Sequence, residues 1–235
     1  WYTQLDDFKS DQILESRLFE VLKESSIIGN EAQPDFLDLL ASSAPTPGGG
    51  SAAAHTGAAA AALVAMVGRV TIGKKKYVQV ETQIQAIIEK AESLRIKLTI
   101  AVEQDASSFA GYVAATKLPK ATPEEIDLRL IAMDEATRHA ALIPYNSAKL
   151  CLEVLELAKT AAELGNINAI SDAVSAAFLA QAALRCAGAN VKINIRSLQK
   201  PEEMQEIYNS VEVLEIEADE RLFEIKKILK DRAGF

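Results

Sequence analysis

The chain has 235 residues, with 25 lysines and arginines against 33 aspartates and glutamates, for a net charge of −8. That length is enough for one domain with a sizeable core, and 49% apolar with 25% charged residues is ordinary for a globular protein. The acidic balance argues against a nucleic-acid or anionic-membrane surface, because such partners require a broad basic face.

Glycine (11) and proline (7) are sparse, and helical periodicity dominates the rest. Residues 3–28 read as an amphipathic helix on Leu5, Phe8, Ile13, Leu18, Phe19 and Leu22. The acidic residues and Lys9 in this segment interrupt any leader-like apolar run, so a cytoplasmic location is expected. Pro34 precedes a short helix, FLDLLAS, which ends at the Pro/Gly loop SSAPTPGGGS. A helix of small residues follows from Gly50 to Thr71; His55 and Arg69 interrupt it, and it is too weakly hydrophobic to be read as a membrane span. Residues 78–116 form a longer helix with Ile84, Ile88, Ala91, Leu98, Phe109 and Tyr112 along one stripe. Thr122-Pro123-Glu124-Glu125 is a strong helix start. The helix it opens is expected to kink or break at Pro144 and to stop at Gly165. Segments 168–189 and 200–231 complete the set, and only VKINIR, 191–196, resembles a strand. The expected fold is all-α, a helical bundle, with residues 1–30 an extra N-terminal helix and 31–235 the bundle domain. Helices made of small residues have no polar side and must be surrounded, within the chain or by a second copy. A homodimer is expected.

Some polar residues fall where the periodicity calls for apolar ones. Asp105 lies seven residues after Leu98 and four before Phe109, on the inner stripe of its helix. It is either one half of a buried ion pair or a functional carboxylate. Asp172 opens a helix whose face continues through Ala176, Leu179, Ala183 and Cys186, and it reads either as a helix-start carboxylate or as a catalytic one. Three consecutive lysines, Lys74, Lys75 and Lys76, follow Gly73 and precede Tyr77, forming either a solvated corner or an anion site. Gly48, Gly49, Gly50 and Ser51 leave unpaired N–H groups at a helix start, although no Gly-Lys-Ser/Thr follows as in a phosphate-binding P-loop. Cys151 and Cys186 read as buried thiols, His55 and His139 as structural or surface residues, and no metal site is visible.

Six blocks occur in order: FLDLLASSAPTPGGGSAAA, VTIGKKKY, KLPKATPEE, IPYNSA, GNINAISDA and AGANVKINIRSL. A chain carrying them resembles the methenyltetrahydrofolate cyclohydrolase / formiminotetrahydrofolate cyclodeaminase family over about residues 34–230. The resemblance implies an all-helical dimer that uses neither metal nor cofactor and takes a folate as its small-molecule substrate. It implies hydrolysis of 5,10-methenyltetrahydrofolate to 10-formyltetrahydrofolate. The alternatives are cyclodeamination of 5-formiminotetrahydrofolate with release of ammonia, or folate binding without turnover. On that resemblance Asp172, Asp105 and Lys76 are expected to be catalytic. Gly48, Gly49, Gly50, Ser51, Lys74, Lys75, Tyr77, Asn190 and Asn194 are expected to bind substrate, with the two asparagines against the pterin.

Overall fold

The computed structural model describes residues 35–234, and the expected N-terminal helix lies outside them. The chain divides into two units between Ser42 and Ser43. Of the first, the described part is helix α1 (Phe36–Ala41), capped by the Asp35 carboxylate on the Phe36 amide. The second unit holds five helices: α2 (Gly49–Arg69), α3 (Glu81–Thr116), α4 (Pro123–Leu164), α5 (Ile170–Arg196) and α6 (Gln205–Ala233). Short 3₁₀ turns at Lys75–Val80, Ile167–Ala169 and Pro201–Met204 join them, and no strand occurs among the described residues. The all-α bundle is as expected.

Helices α2 and α5 form the inner pair. They run antiparallel: Gly49 lies against Asn190 at one end, and Val67 lies against Gly165 at the other. Both are long and apolar enough to cross a membrane, but here their apolar surface serves the core, which includes Ala53, Ala61, Val64, Ala176, Ala180 and Leu184. Small residues on α2 also let α4 and α3 approach it closely. A Cβ on Gly57 would sit 2.7 Å from Cys151 Sγ, and one on Gly68 would sit 2.5 Å from Ile88 Cγ1. Packing at that separation leaves no room for even one methyl group. Burial pushes the Cys151 thiol up to about 12, as suits an inert packing group, whereas Cys186, also expected to be buried, is exposed.

Two boundaries differ from the sequence reading. VKINIR is not a strand; α5 runs through it to Arg196. Val191 and Ile195, four residues apart, are buried with Ala141, Met204 and Val211, and this packing outweighs the β preference of branched side chains. Pro144 does not break α4 either, and the helix is continuous from Pro123 to Leu164. Proline at 144 offers no N–H to the Ala140 carbonyl four residues back. Asn194 Nδ2 from α5 donates to that carbonyl at 2.8 Å instead. At the other end of α4 the expected start is present as a full capping box between Thr122 and Glu125.

Candidate active site

At the end of the bundle where α2 begins, four segments enclose a cavity of about 420 Å³. The size is that of a small-molecule site. The loop before α2 supplies Pro45, Thr46 and Gly48, and the first turn of α2 supplies Gly49 and Gly50. Helix α3 supplies Asp105, Ser108, Phe109 and Tyr112, one face of a helix; α4 adds Thr137 and Ala140, and α5 adds Asn190, Asn194 and Ser197. Asp105 is the one formally charged side chain among the described residues of this wall.

The position of Asp105 follows from Gly50. A Cβ at residue 50 would lie 2.2 Å from Asp105 Oδ1, so only glycine lets the carboxylate lie against the start of α2. Next in sequence, the fully buried Ser51 donates its hydroxyl to Asp105 Oδ2 at 2.8 Å. Of the two readings open for Asp105, the ion pair is absent: no lysine or arginine among the described residues pairs with it, and its partner is a serine. The residue is half-buried, and Oδ1 accepts no hydrogen bond from any described residue. Helix α2 opens at Gly48 with no side-chain cap. The first-turn amides of Gly49, which is exposed, and Gly50, which is buried against Asp105, have no side-chain partner at the positive end of this 21-residue helix.

Asp105, Gly48, Gly49, Gly50, Asn190 and Asn194 thus meet around one cavity. Ser51 sits directly behind them, holding Asp105 and not facing the cavity. Asp172, Lys74, Lys75, Lys76 and Tyr77 lie at the opposite end of the α2/α5 pair. Asp172 is in the first turn of α5, 18 residues before Asn190, or about 27 Å along the helix. It is half-buried and sits where the helix dipole favours a carboxylate. The lysines are exposed in the turn after α2; Lys76 Nζ lies 5.7 Å from the centre of the Tyr77 ring. Tyr77 Oη accepts from the Ile167 amide at 2.9 Å, and Thr71 Oγ1 accepts from the Asn166 amide at 2.8 Å, which ties this turn to the start of α5.

Thr46, Ser108, Thr137 and Ser197 carry no motif in the sequence, and Phe109 and Tyr112 continue a helical stripe that reads as core. Their rings, with centroids 6.4 Å apart, instead form a wall of the cavity. The available signal was the spacing of Asp105, Ser108 and Tyr112, polar groups that recur on the face that Leu98 begins. Among the described residues no cluster of histidine, cysteine and acidic side chains is suited to a metal ion.

Residues 33–213 match the family model described as formiminotransferase-cyclodeaminase, and the chain belongs to this family. It is 46% identical over 202 residues to methenyltetrahydrofolate cyclohydrolase of Methylorubrum extorquens, covering 85% of this chain and 97% of that protein. It is 32% identical over 188 residues to formimidoyltransferase-cyclodeaminase of Rattus norvegicus, covering 80% of this chain but only 35% of that longer protein. Among solved structures, formiminotetrahydrofolate cyclodeaminase of Thermotoga maritima superposes with a TM-score of 0.74 at 29% identity, covering 83% of this chain and 94% of that one.

Proposed function

We propose that the chain is a methenyltetrahydrofolate cyclohydrolase, converting 5,10-methenyltetrahydrofolate and water into 10-formyltetrahydrofolate and a proton. The observation that carries the reading is the single negative charge in an otherwise neutral cavity wall. The 5,10-methenyl bridge is a delocalised cation, and an unpaired carboxylate facing it favours substrate over a product that has lost that charge. The 46% identity to a cyclohydrolase over nearly its whole length supports the same reading.

In this reading Asp105 acts as the base. Its free Oδ1 takes a proton from water as the oxygen bonds to the bridge carbon, giving a neutral tetrahedral centre. The same carboxyl returns that proton to N5 as the carbon–N5 bond breaks. The hydroxyl proton then leaves to solvent and the formyl group remains on N10. Once that proton has left, the first-turn amides of Gly49 and Gly50 suit the formyl oxygen as an acceptor. Phe109 and Tyr112 offer an apolar wall to the flat rings. Water and substrate supply every atom, so no cofactor is required.

The relatives named as cyclodeaminases favour a second reading, in which N10 attacks a 5-formimino group and ammonia leaves from the same tetrahedral carbon. Absorbance decides between them. Loss of the methenyl chromophore well above a no-enzyme blank establishes the hydrolase. No loss, with appearance of that chromophore and ammonia from 5-formiminotetrahydrofolate, establishes the cyclodeaminase; silence in both leaves a folate-binding protein.

The working form in this proposal is a homodimer joined through the outer face of α3 and α4. Ile96, Ile100, Leu128, Ile131 and Leu142 expose 38–67% of their surface there. Two α3 helices crossing antiparallel at Ile100 set Lys97 of each copy against Glu103 of the other, and both residues lack an ion-pair partner among the described residues. Sedimentation is expected to give a dimer for the native chain and a monomer for Ile100→Glu; a native monomer would refute the interface.

A further inference from the structure

Asn190 and Asn194 stand one helical turn apart on α5, and both line the cavity. Each donates one N–H of its carboxamide to a main-chain carbonyl. Asn190 Nδ2 donates to Cys186 O at 2.8 Å, and Asn194 Nδ2 donates to Ala140 O at 2.8 Å. The second bond takes the place of the helical donor that Pro144 cannot offer to the Ala140 carbonyl. Turning either carboxamide over would set oxygen against oxygen, so both orientations are fixed by an acceptor-only partner. Neither Oδ1 accepts a hydrogen bond from any described residue. The glycine loop closes directly over the first of them, since a Cβ on Gly49 would lie 3.2 Å from Asn190 Nδ2.

We infer that Asn190 and Asn194 form an acceptor subsite that reads the N–H donor edge of a planar amino-heterocycle, with the proline inside α4 setting the polarity of the second acceptor. This rests on the folate reading, which identifies the edge as the 2-amino-4-oxopyrimidine part of the pterin, where the amino group and a ring N–H both donate. A site that presents acceptors discriminates strongly against an analogue lacking the donor, because the acceptors are then desolvated without a partner.

The test is calorimetric titration of the full chain, which reads binding without turnover, using tetrahydrofolate and its 2-desamino-2-methyl counterpart. The native chain is expected to prefer the parent about tenfold or more, and Asn194→Leu to reduce that preference to about twofold. Pro144→Ala returns an N–H that competes with the Asn194 amide for the Ala140 carbonyl. It is expected to lower the preference about threefold with an equal or higher melting temperature, and it carries the test should the leucine variant not fold. Equal binding of the two ligands by the native chain overturns the subsite, as does an equal loss of both in Asn194→Leu. Failure of the native chain to bind tetrahydrofolate at all overturns the folate reading, and the pterin assignment falls with it.

Discussion

The two ends of the α2/α5 pair carry similar polar residues put to different use. At the end where α2 begins, Asp105, Asn190 and Asn194 have one side held by the protein and the other open to a cavity. At the end where α2 stops, Thr71, Asn166 and Tyr77 are taken up by main-chain groups that join two turns. The first arrangement leaves hydrogen-bonding capacity for a ligand; the second uses it to fasten the bundle. Polar residue type alone does not mark a site. What marks it is an atom with no partner inside the chain, next to space.

The most severe way to break this contrast is Asp105→Asn, which keeps the shape and removes the base. Its kcat is expected to fall roughly 10²–10⁴-fold with the melting temperature unchanged; activity within tenfold of native would remove Asp105 from the chemistry. Gly50→Ala comes next. Its Cβ meets the carboxylate at 2.2 Å, so the displaced Asp105 should lose about 10²-fold in kcat, and a crystal structure of the variant should show the carboxylate moved. Ser51→Ala removes one hydrogen bond to that carboxylate and should lower kcat about tenfold with little change in KM; a matching rise in KM would return Ser51 to substrate contact.

At the far end the expected effects are small. Asp172→Asn should leave kcat within about threefold, given the ~27 Å of helix between it and the cavity. A loss as large as that of Asp105→Asn would mean that a second copy brings this end against the cavity, and would restore the catalytic role that the family resemblance implies. The smallest effect concerns stability. Hydrogen bonds from Arg69 and Arg95 hold the Glu92 carboxyl below its usual range. Its contribution is therefore present above the ordinary carboxylate pKa and is lost as pH falls through the lowered value. Arg69→Ala should cost about 0.5 kcal/mol near neutral pH, since the pair is largely exposed, and nothing measurable once Glu92 is protonated. Denaturant melts at both pH values would show a cost independent of pH if the pairing were irrelevant.

Much of this was legible in the residues. Helix starts follow from local chemistry, as at Thr122–Glu125, and Asp105 stood out because a carboxylate on an apolar stripe demands a reason. Pro144 and VKINIR misled because a local rule was overruled from another helix, by Asn194 in one case and by packing of Val191 and Ile195 in the other. Asp172 was grouped with Asp105 because both continue apolar faces, and periodicity records a face but not a position along the bundle.

By itself, then, the sequence determined the all-α class, the order of the helices, the presence of two small-residue helices that must be surrounded and, through its ordered motifs, the family. Those properties rest on propensity, capping and periodicity, which act over a few residues. Only the tertiary structure decided which polar groups share a cavity, that Ser51 faces a carboxylate and not the cavity, and that the lysine turn lies a helix length away. Such facts depend on the antiparallel pairing of α2 with α5, which brings Gly49 to Asn190 across 141 residues of chain, and no local pattern encodes a contact of that span.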